Sequence, residues 1–289
     1  MYGGLVRSIF PLRSVPVRLA LFATGLALVF GAAAAVGAAV DPGEPTACAP
    51  AHGMGHEPLG LSVAQGGTSI SPASFTVAAG RAQPLRFRVL DRAGAVVRSG
   101  YELEAQRRMH VILVRRDLTG YQHVHPTMAA DGTWGVPLKV AEPGAYRVFA
   151  DFQRACEKHV LAADLIAPGD FQPRALPAPA TTASAGGYDV KLDRPALRAG
   201  REALLHFSVT RAGRPVRDLQ PYLGARGHLV ALRQGDLAYL HAHPEEHGGA
   251  ANGIPFAAEF LSAGSYRLFL QFRAGGIVHT VAFTAEIAP

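Results

Sequence analysis

An 18-residue pattern occurs twice in the chain, as Met109–Pro126 and again as Gly227–Pro244. In each copy a first histidine (His110, His228) is followed thirteen residues later by a second (His123, His241). A third comes two residues after that (His125, His243), directly before a proline. A fourth histidine follows near the end of each copy, His159 and His279. Any fold for this chain must present these clusters twice, on two similar scaffolds.

The likeness between the copies extends beyond histidine. Arg92-Ala-Gly94 matches Arg211-Ala-Gly213, and the stretch containing Tyr146, Phe149 and Phe152 matches that containing Tyr266, Phe269 and Phe272. This is the signature of a duplicated domain. One repeat runs over 59–168 and the other over 188–289. The Pro-, Ala- and Gly-rich segment 169–187 between them reads as a flexible linker.

Both repeats read as β-strands. Pro84–Leu90 alternates apolar and basic residues, as a half-buried strand does, and Tyr146, Val148 and Ala150 alternate with Arg147, Phe149 and Asp151. The stretches 159–167 and 279–287 read as final strands, and turn residues separate short strands at the spacing of a sandwich. Pro143-Gly-Ala-Tyr146 and Ala263-Gly-Ser-Tyr266 resemble the tyrosine corner that opens strand F of an immunoglobulin-like domain. The expected fold class is therefore all-β: two tandem immunoglobulin-like sandwiches, each of about seven strands.

Ahead of them lies an apolar segment. Leu19–Val40 is 22 residues without a charge, close to the roughly 20 that span a bilayer. Arg7, Arg13 and Arg18 precede it, so residues 1–40 are expected to be a cytoplasmic tail and transmembrane anchor, or an uncleaved signal; the alternative is a cleaved signal, which leaves the chain secreted, and on either reading everything after Val40 is extracytoplasmic. The segment 41–58 reads as a flexible tether. Its Cys48, His52, Met54 and His56 are either spacer residues or soft-metal ligands. The net charge of +6 is dispersed, and neither repeat carries a Lys/Arg block, so no nucleic-acid partner is expected. The two cysteines, Cys48 and Cys156, form no disulfide framework; they make one bridge or none.

The spacing of the histidines carries the chemistry. A hairpin centred between Asp117 and Leu118 puts His110 opposite His125 and Ile112 opposite His123. Side chains alternate faces, so His110, His123 and His125 share one face. In the second copy the same reasoning puts His228 opposite His243, on one face with His241. If the sheet order is C′-C-F-G, His159 and His279 begin strand G at the same end. Two metal sites follow as an expectation. One uses His110, His123, His125 and His159, the other His228, His241, His243 and His279, each holding Cu(II) or Zn(II). Met109 is a further soft ligand in the first site alone. Asp117 and Asp236 read as turn residues. His206 and His247 have no counterparts and read as surface or core residues. The competing reading of the clusters is structural, with imidazoles capping backbone groups at a sheet rim.

The Met109-His110, Asp117-Leu118 and Tyr121-x-His123-x-His125-Pro126 pattern, with Pro221–His228 in the second copy, resembles that of secreted or membrane-anchored bacterial proteins with tandem immunoglobulin-like domains. The fold is also similar to extracytoplasmic copper-handling sandwiches of the CopC and YtkA kind. This chain departs from the CopC pattern in having no leading histidine after the apolar segment. The resemblance implies copper by analogy and a metal-trafficking protein as partner. No nucleophile elbow, phosphate loop or dinucleotide fingerprint is present, so no enzyme is expected. The expected function is extracytoplasmic capture, buffering or delivery of copper or zinc. The alternative is a non-metal envelope adhesion or interaction protein.

Overall fold

The computed structural model describes residues 15–39, 58–245 and 253–289. Cys48, His52, Met54, His56 and His247 lie outside the described residues. The side chains of His241 and His243 also lie outside them, though their backbone is placed. Helix α1 covers Val15–Ala39. Its described side chains, 19–31, are all exposed. Among the described residues no helix is long and apolar enough to cross a membrane. The helix falls in one compact unit, and both repeats fall in another.

Each repeat is a β-sandwich. The first has nine strands: β1 (Ala64–Gln65), β2 (Thr68–Pro72), β3 (Ala82–Leu90), β4 (His110–Arg115), β5 (Gln122–Val124), β6 (Thr127–Met128), β7 (Trp134–Lys139), β8 (Gly144–Arg154) and β9 (Glu157–Ala167). One layer is β1-β2-β3-β7-β6 and the other β5-β4-β8-β9, so the second layer has the expected C′-C-F-G order. The second repeat comprises β10 (Thr182–Ala185), β11 (Tyr188–Asp193), β12 (Glu202–Arg211), β13 (Arg214–Pro215), β14 (Gly227–Arg233), β15 (Tyr239–Pro244), β16 (Gly253–Glu259), β17 (Gly264–Ala274) and β18 (Ile277–Ile287). Here β15 pairs with both β14 and β16, which joins the two layers into one sheet.

Both tyrosine corners are present. The Tyr146 hydroxyl donates to the Glu142 carbonyl at 2.7 Å, and the Tyr266 hydroxyl to the Ser262 carbonyl at 3.0 Å. Each bond pins the start of an F-type strand to the preceding loop, as in immunoglobulin-like domains. At the hairpins that follow β4 and β14, Leu118 and Leu237 have positive φ, 64° and 63°. Asp117 accepts the Thr119 amide, and Asp236 accepts the Ala238 amide. These aspartates are turn residues, and they also pair with arginine. Arg115, buried, meets Asp117 and Glu142 at 2.7 Å each, and Arg233 pairs with Asp236. Asp117 therefore titrates near 2: burial works against ionisation, but the bonds from Arg115 and Thr119 outweigh it.

Each sandwich has its own apolar core. A third core lies between the repeats. Ile112, Val114, Leu118, Phe149, Val160 and Ala162 of the first repeat pack against Val230, Leu232, Leu237, Tyr239 and Phe269 of the second. Full burial of such aliphatic and aromatic side chains is worth about 1.5–3 kcal/mol each. The two outer faces of the C′-C-F-G layers are thus fused. The packing is reciprocal: Tyr121 stacks on Phe269 at 4.0 Å between centroids, and its counterpart Tyr239 lies 5.3 Å from Phe149, the counterpart of Phe269. Equivalent residues meeting crosswise define a pseudo-two-fold interface of the isologous kind.

The segment 169–187, expected to be flexible, is docked. The Arg174 amide donates to Asp117 at 2.9 Å, Arg115 lies over the Phe171 ring, and Leu176 packs on the inter-repeat core. Strand β10 begins within it. Contacts to Asp117, Glu142, Arg115 and the inter-repeat core, invisible in the linker's own composition, hold it down. Cys156, at the β8–β9 turn, is disulfide-bonded.

Candidate metal centre

Strands β4 and β5 pair as Val111↔Val124, Ile112↔His123 and Leu113↔Gln122. Strands β14 and β15 pair as Leu229↔Ala242 and Val230↔His241. Both registers are those expected from centring the hairpins. They put His110 and His123 on the face shared with Ile112, and His228 on the face shared with Val230. That face is the one buried between the repeats, not an open rim.

The consequence is a cluster that crosses the repeat boundary. The His110 and His228 rings, equivalent residues of the two copies, stack with centroids 5.5 Å apart and planes 5° from parallel. His123 stacks on His228 at 4.6 Å and on His110 at 5.3 Å. One ring nitrogen from each of the three lies within 4.8 Å of the others. His110 and His228 are buried, and His123 is half-buried.

The hydrogen bonds fix which nitrogens carry lone pairs. His110 Nε2 lies 3.0 Å from the Glu104 carbonyl oxygen, which only accepts, so the proton is on Nε2. His123 Nδ1 lies 2.7 Å from Gln271 Oε1. That amide is held by Thr280, which accepts from Nε2 at 3.1 Å, and by the Tyr222 hydroxyl, which donates to Oε1 at 3.3 Å. His123 therefore carries its proton on Nδ1. In the neutral rings His110 Nδ1 and His123 Nε2 are both acceptors, and they face each other at 3.0 Å. With those tautomers the two nitrogens present lone pairs to each other, an arrangement that a bridging proton or metal ion would satisfy. A tetrahedral ion with metal–nitrogen bonds of about 2.0–2.1 Å sets ligand nitrogens roughly 3.3–3.4 Å apart, so the pair is within a few tenths of an ångström of coordinating geometry. The outer contacts to Glu104 and Gln271 are the kind that orient metal-bound imidazoles.

A buried polar network adjoins the cluster. Asp151, paired with His110 across β4 and β8, accepts from Tyr239 of the other repeat at 2.7 Å and meets Lys158 at 2.5 Å. Lys158 also meets Glu104 at 2.5 Å. Burial disfavours its ammonium, but the two carboxylates outweigh that and raise its pKa. Tyr239 is pushed well above the usual phenol range, first by burial and then by Asp151. Lys158 is therefore charged and Tyr239 neutral at neutral pH.

The remaining expected ligands are placed as follows. His125 adjoins the cluster, 5.0 Å from His110 and 4.7 Å from His123 between centroids. Burial, then the neighbouring His110 and Arg107, lower its pKa to about 3, so it is neutral. His159 is not brought to the site. It pairs with Phe152 on β8, stacks on that ring at 5.0 Å and meets Thr68 of β2, so it faces its own sandwich core. His279 does the same in the second repeat, against Phe272 and Tyr188. One residue of strand parity separates them from the histidine face. Met109, one residue before His110, is likewise buried in the core of its own sandwich. His206 packs beside Gly253 on β16. The register gives His241 the backbone place on β15 that His123 has on β5. In the first repeat the expected three, His110, His123 and His125, do come together, without His159, and His228 of the second repeat joins them; the expected grouping of His228 with His241 and His243 falls on side chains outside the described residues.

Glu104, Tyr222, Gln271, Asp151 and Tyr239 escaped the spacing argument because their roles arise across strands or across repeats. One signal pointed to the interface. His110–Val114 and His228–Leu232 are unbroken apolar runs after the histidine, without the alternation of a strand that has one wet face.

A family model described as Domain of unknown function (DUF8832) matches the chain twice, over residues 64–168 and 182–289. No curated protein matches. Similar solved structures include a DUF4426 family protein from Pseudomonas aeruginosa PAO1, 14% identical, covering 37% of this chain and 96% of that one, with a TM-score of 0.30. They also include FdeC, an Escherichia coli adhesin, 18% identical over 77% of this chain and 64% of that one, TM-score 0.25. Invasin, a bacterial integrin-binding protein, is 13% identical over 76% of this chain and 39% of that one, TM-score 0.21. The chain spans less than two thirds of the adhesin and of the invasin, and at these TM-scores the likeness carries no argument about function.

Proposed function

The chain belongs to the DUF8832 family through both of its repeats, and on that premise we propose that it is a binding protein whose repeats together hold one divalent metal ion. His110, His123 and His228 are the ligands. The observation that carries this reading is the pair of acceptor nitrogens, His110 Nδ1 and His123 Nε2, facing each other at 3.0 Å beside a third imidazole. A site made of imidazole alone suits Zn(II) or Cu(II) and disfavours Mg(II) and Ca(II), which take oxygen ligands. The apolar run 19–40 and the arginines before it support a membrane anchor with the repeats outside the cytoplasm. A metal-trafficking partner fits that placement.

The second reading is a non-metal envelope adhesion or interaction protein with tandem immunoglobulin-like domains. An adhesin and an invasin are among the structures the chain is similar to. The histidine cluster favours the first.

Titration of the full chain with Zn(II) and with Cu(II) separates them. One equivalent is expected per chain. His228→Ala is expected to remove tight binding although it lies in the opposite repeat from His110 and His123. Two equivalents, each abolished by changes in one repeat only, would restore separate sites. No binding to the wild-type chain would leave the adhesion reading in first place.

A further inference from the structure

Beside the histidine cluster, a cleft of about 280 Å³ opens between the repeats. Gln106, Arg107 and His125 line it from the first repeat, and Tyr222 and Arg273 from the second. No aspartate or glutamate is among its lining residues. Among the described residues, neither guanidinium belongs to an ion pair, whereas Arg88, Arg115, Arg116, Arg147, Arg174 and Arg233 each have a carboxylate. Of the polar groups presented, the two guanidiniums only donate, the Gln106 amide and the His125 imidazole each offer a donor, and the Tyr222 hydroxyl already donates to Gln271. His125 adds a second observation. Its Nε2 is buried and has no hydrogen-bond partner among the described residues, although buried polar atoms are nearly always satisfied.

We propose that this cleft binds a small carboxylate, held between Arg107 and Arg273 and bonded to His125. Guanidinium recognises carboxylate through two parallel N–H bonds, which a planar two-oxygen anion matches. The cleft volume admits an anion of a few carbon atoms. Both arginines are exposed, so the ligand exchanges with solvent, and binding is moderate and weakened by salt. The site does not depend on metal for its donors. An ion held by neutral histidines alongside would add positive charge and strengthen the carboxylate, and by linkage the carboxylate would strengthen the ion.

The test is carbon-13 NMR of labelled acetate with the full chain, in chloride-free buffer at low ionic strength. Saturable broadening of the acetate line is expected with the wild-type chain. In the Arg107→Gln, Arg273→Gln double variant, both positions being exposed, affinity is expected to fall at least tenfold, the scale of a lost charge-assisted bond. His125→Phe is expected to weaken acetate while leaving the arginines in place. Absence of broadening with the wild type, or equal affinity in the double variant, overturns the proposal. A Zn(II) titration of the same samples reports separately on the metal centre: failure to bind zinc would remove that reading and leave the acetate result to decide this one.

Discussion

At the residue scale, the same amino acid has three different fates within one repeat. His110 lies on the outer face of β4 with a lone pair directed at His123. His125 stands beside the cluster at the wall of a cleft. His159 lies inside the sandwich, where burial lowers its pKa below the usual 6.5 against the opposing pull of Glu157. The sign of its effect on stability follows. Below about pH 6.5 the unfolded chain gains a proton at this position that the folded chain resists, so stability falls as pH drops below that value. Urea denaturation of the metal-free chain at pH 7 and pH 5 is expected to show a smaller loss for His159→Gln than for wild type. An equal loss in both would show that His159 is not a source of the acid sensitivity. The spacing of histidines was legible in the sequence; which of them face one another was not, because a shift of one residue along a strand reverses the face.

At the scale of elements, the hairpins were the most readable parts. Asp117 and Asp236 mark the turns, and pairing outward from them yields Ile112↔His123 and Val230↔His241 in the structure. Both tyrosine corners were readable too, because Tyr146 and Tyr266 each follow a Gly-x pair at the start of a strand. The docked linker was not readable. Its Pro and Ala content describes a chain without a core of its own, and only Asp117, Glu142 and the inter-repeat core hold Arg174 and Leu176 in place. For α1, the apolar run and the arginine bias lead to an orientation test. A protease added to intact cells is expected to digest the repeats and spare the extreme N-terminus; intact repeats after such treatment would refute that topology.

At the scale of the whole molecule, the two repeats behave as a pseudo-dimer within one chain. Val230 is fully buried at the centre of their interface. Val230→Asp places an unpaired charge there, while the residues of each sandwich core are untouched. The variant is expected to separate the repeats: the radius of gyration from X-ray scattering should rise, and Zn(II) affinity should fall by at least tenfold through loss of the composite site. A variant that stays compact and binds zinc as tightly as wild type would contradict an interface-built centre. The sequence alone determined the duplication, the all-β sandwiches, the turn positions and the register of each histidine hairpin, because all of these rest on local spacing and period-two alternation. Only the tertiary structure decided that the two histidine faces meet. That outcome depends on the shape and apolar surface that Phe149, Phe269, Tyr121 and Tyr239 present to one another, and contact between surfaces more than 100 residues apart leaves no periodic trace in the chain.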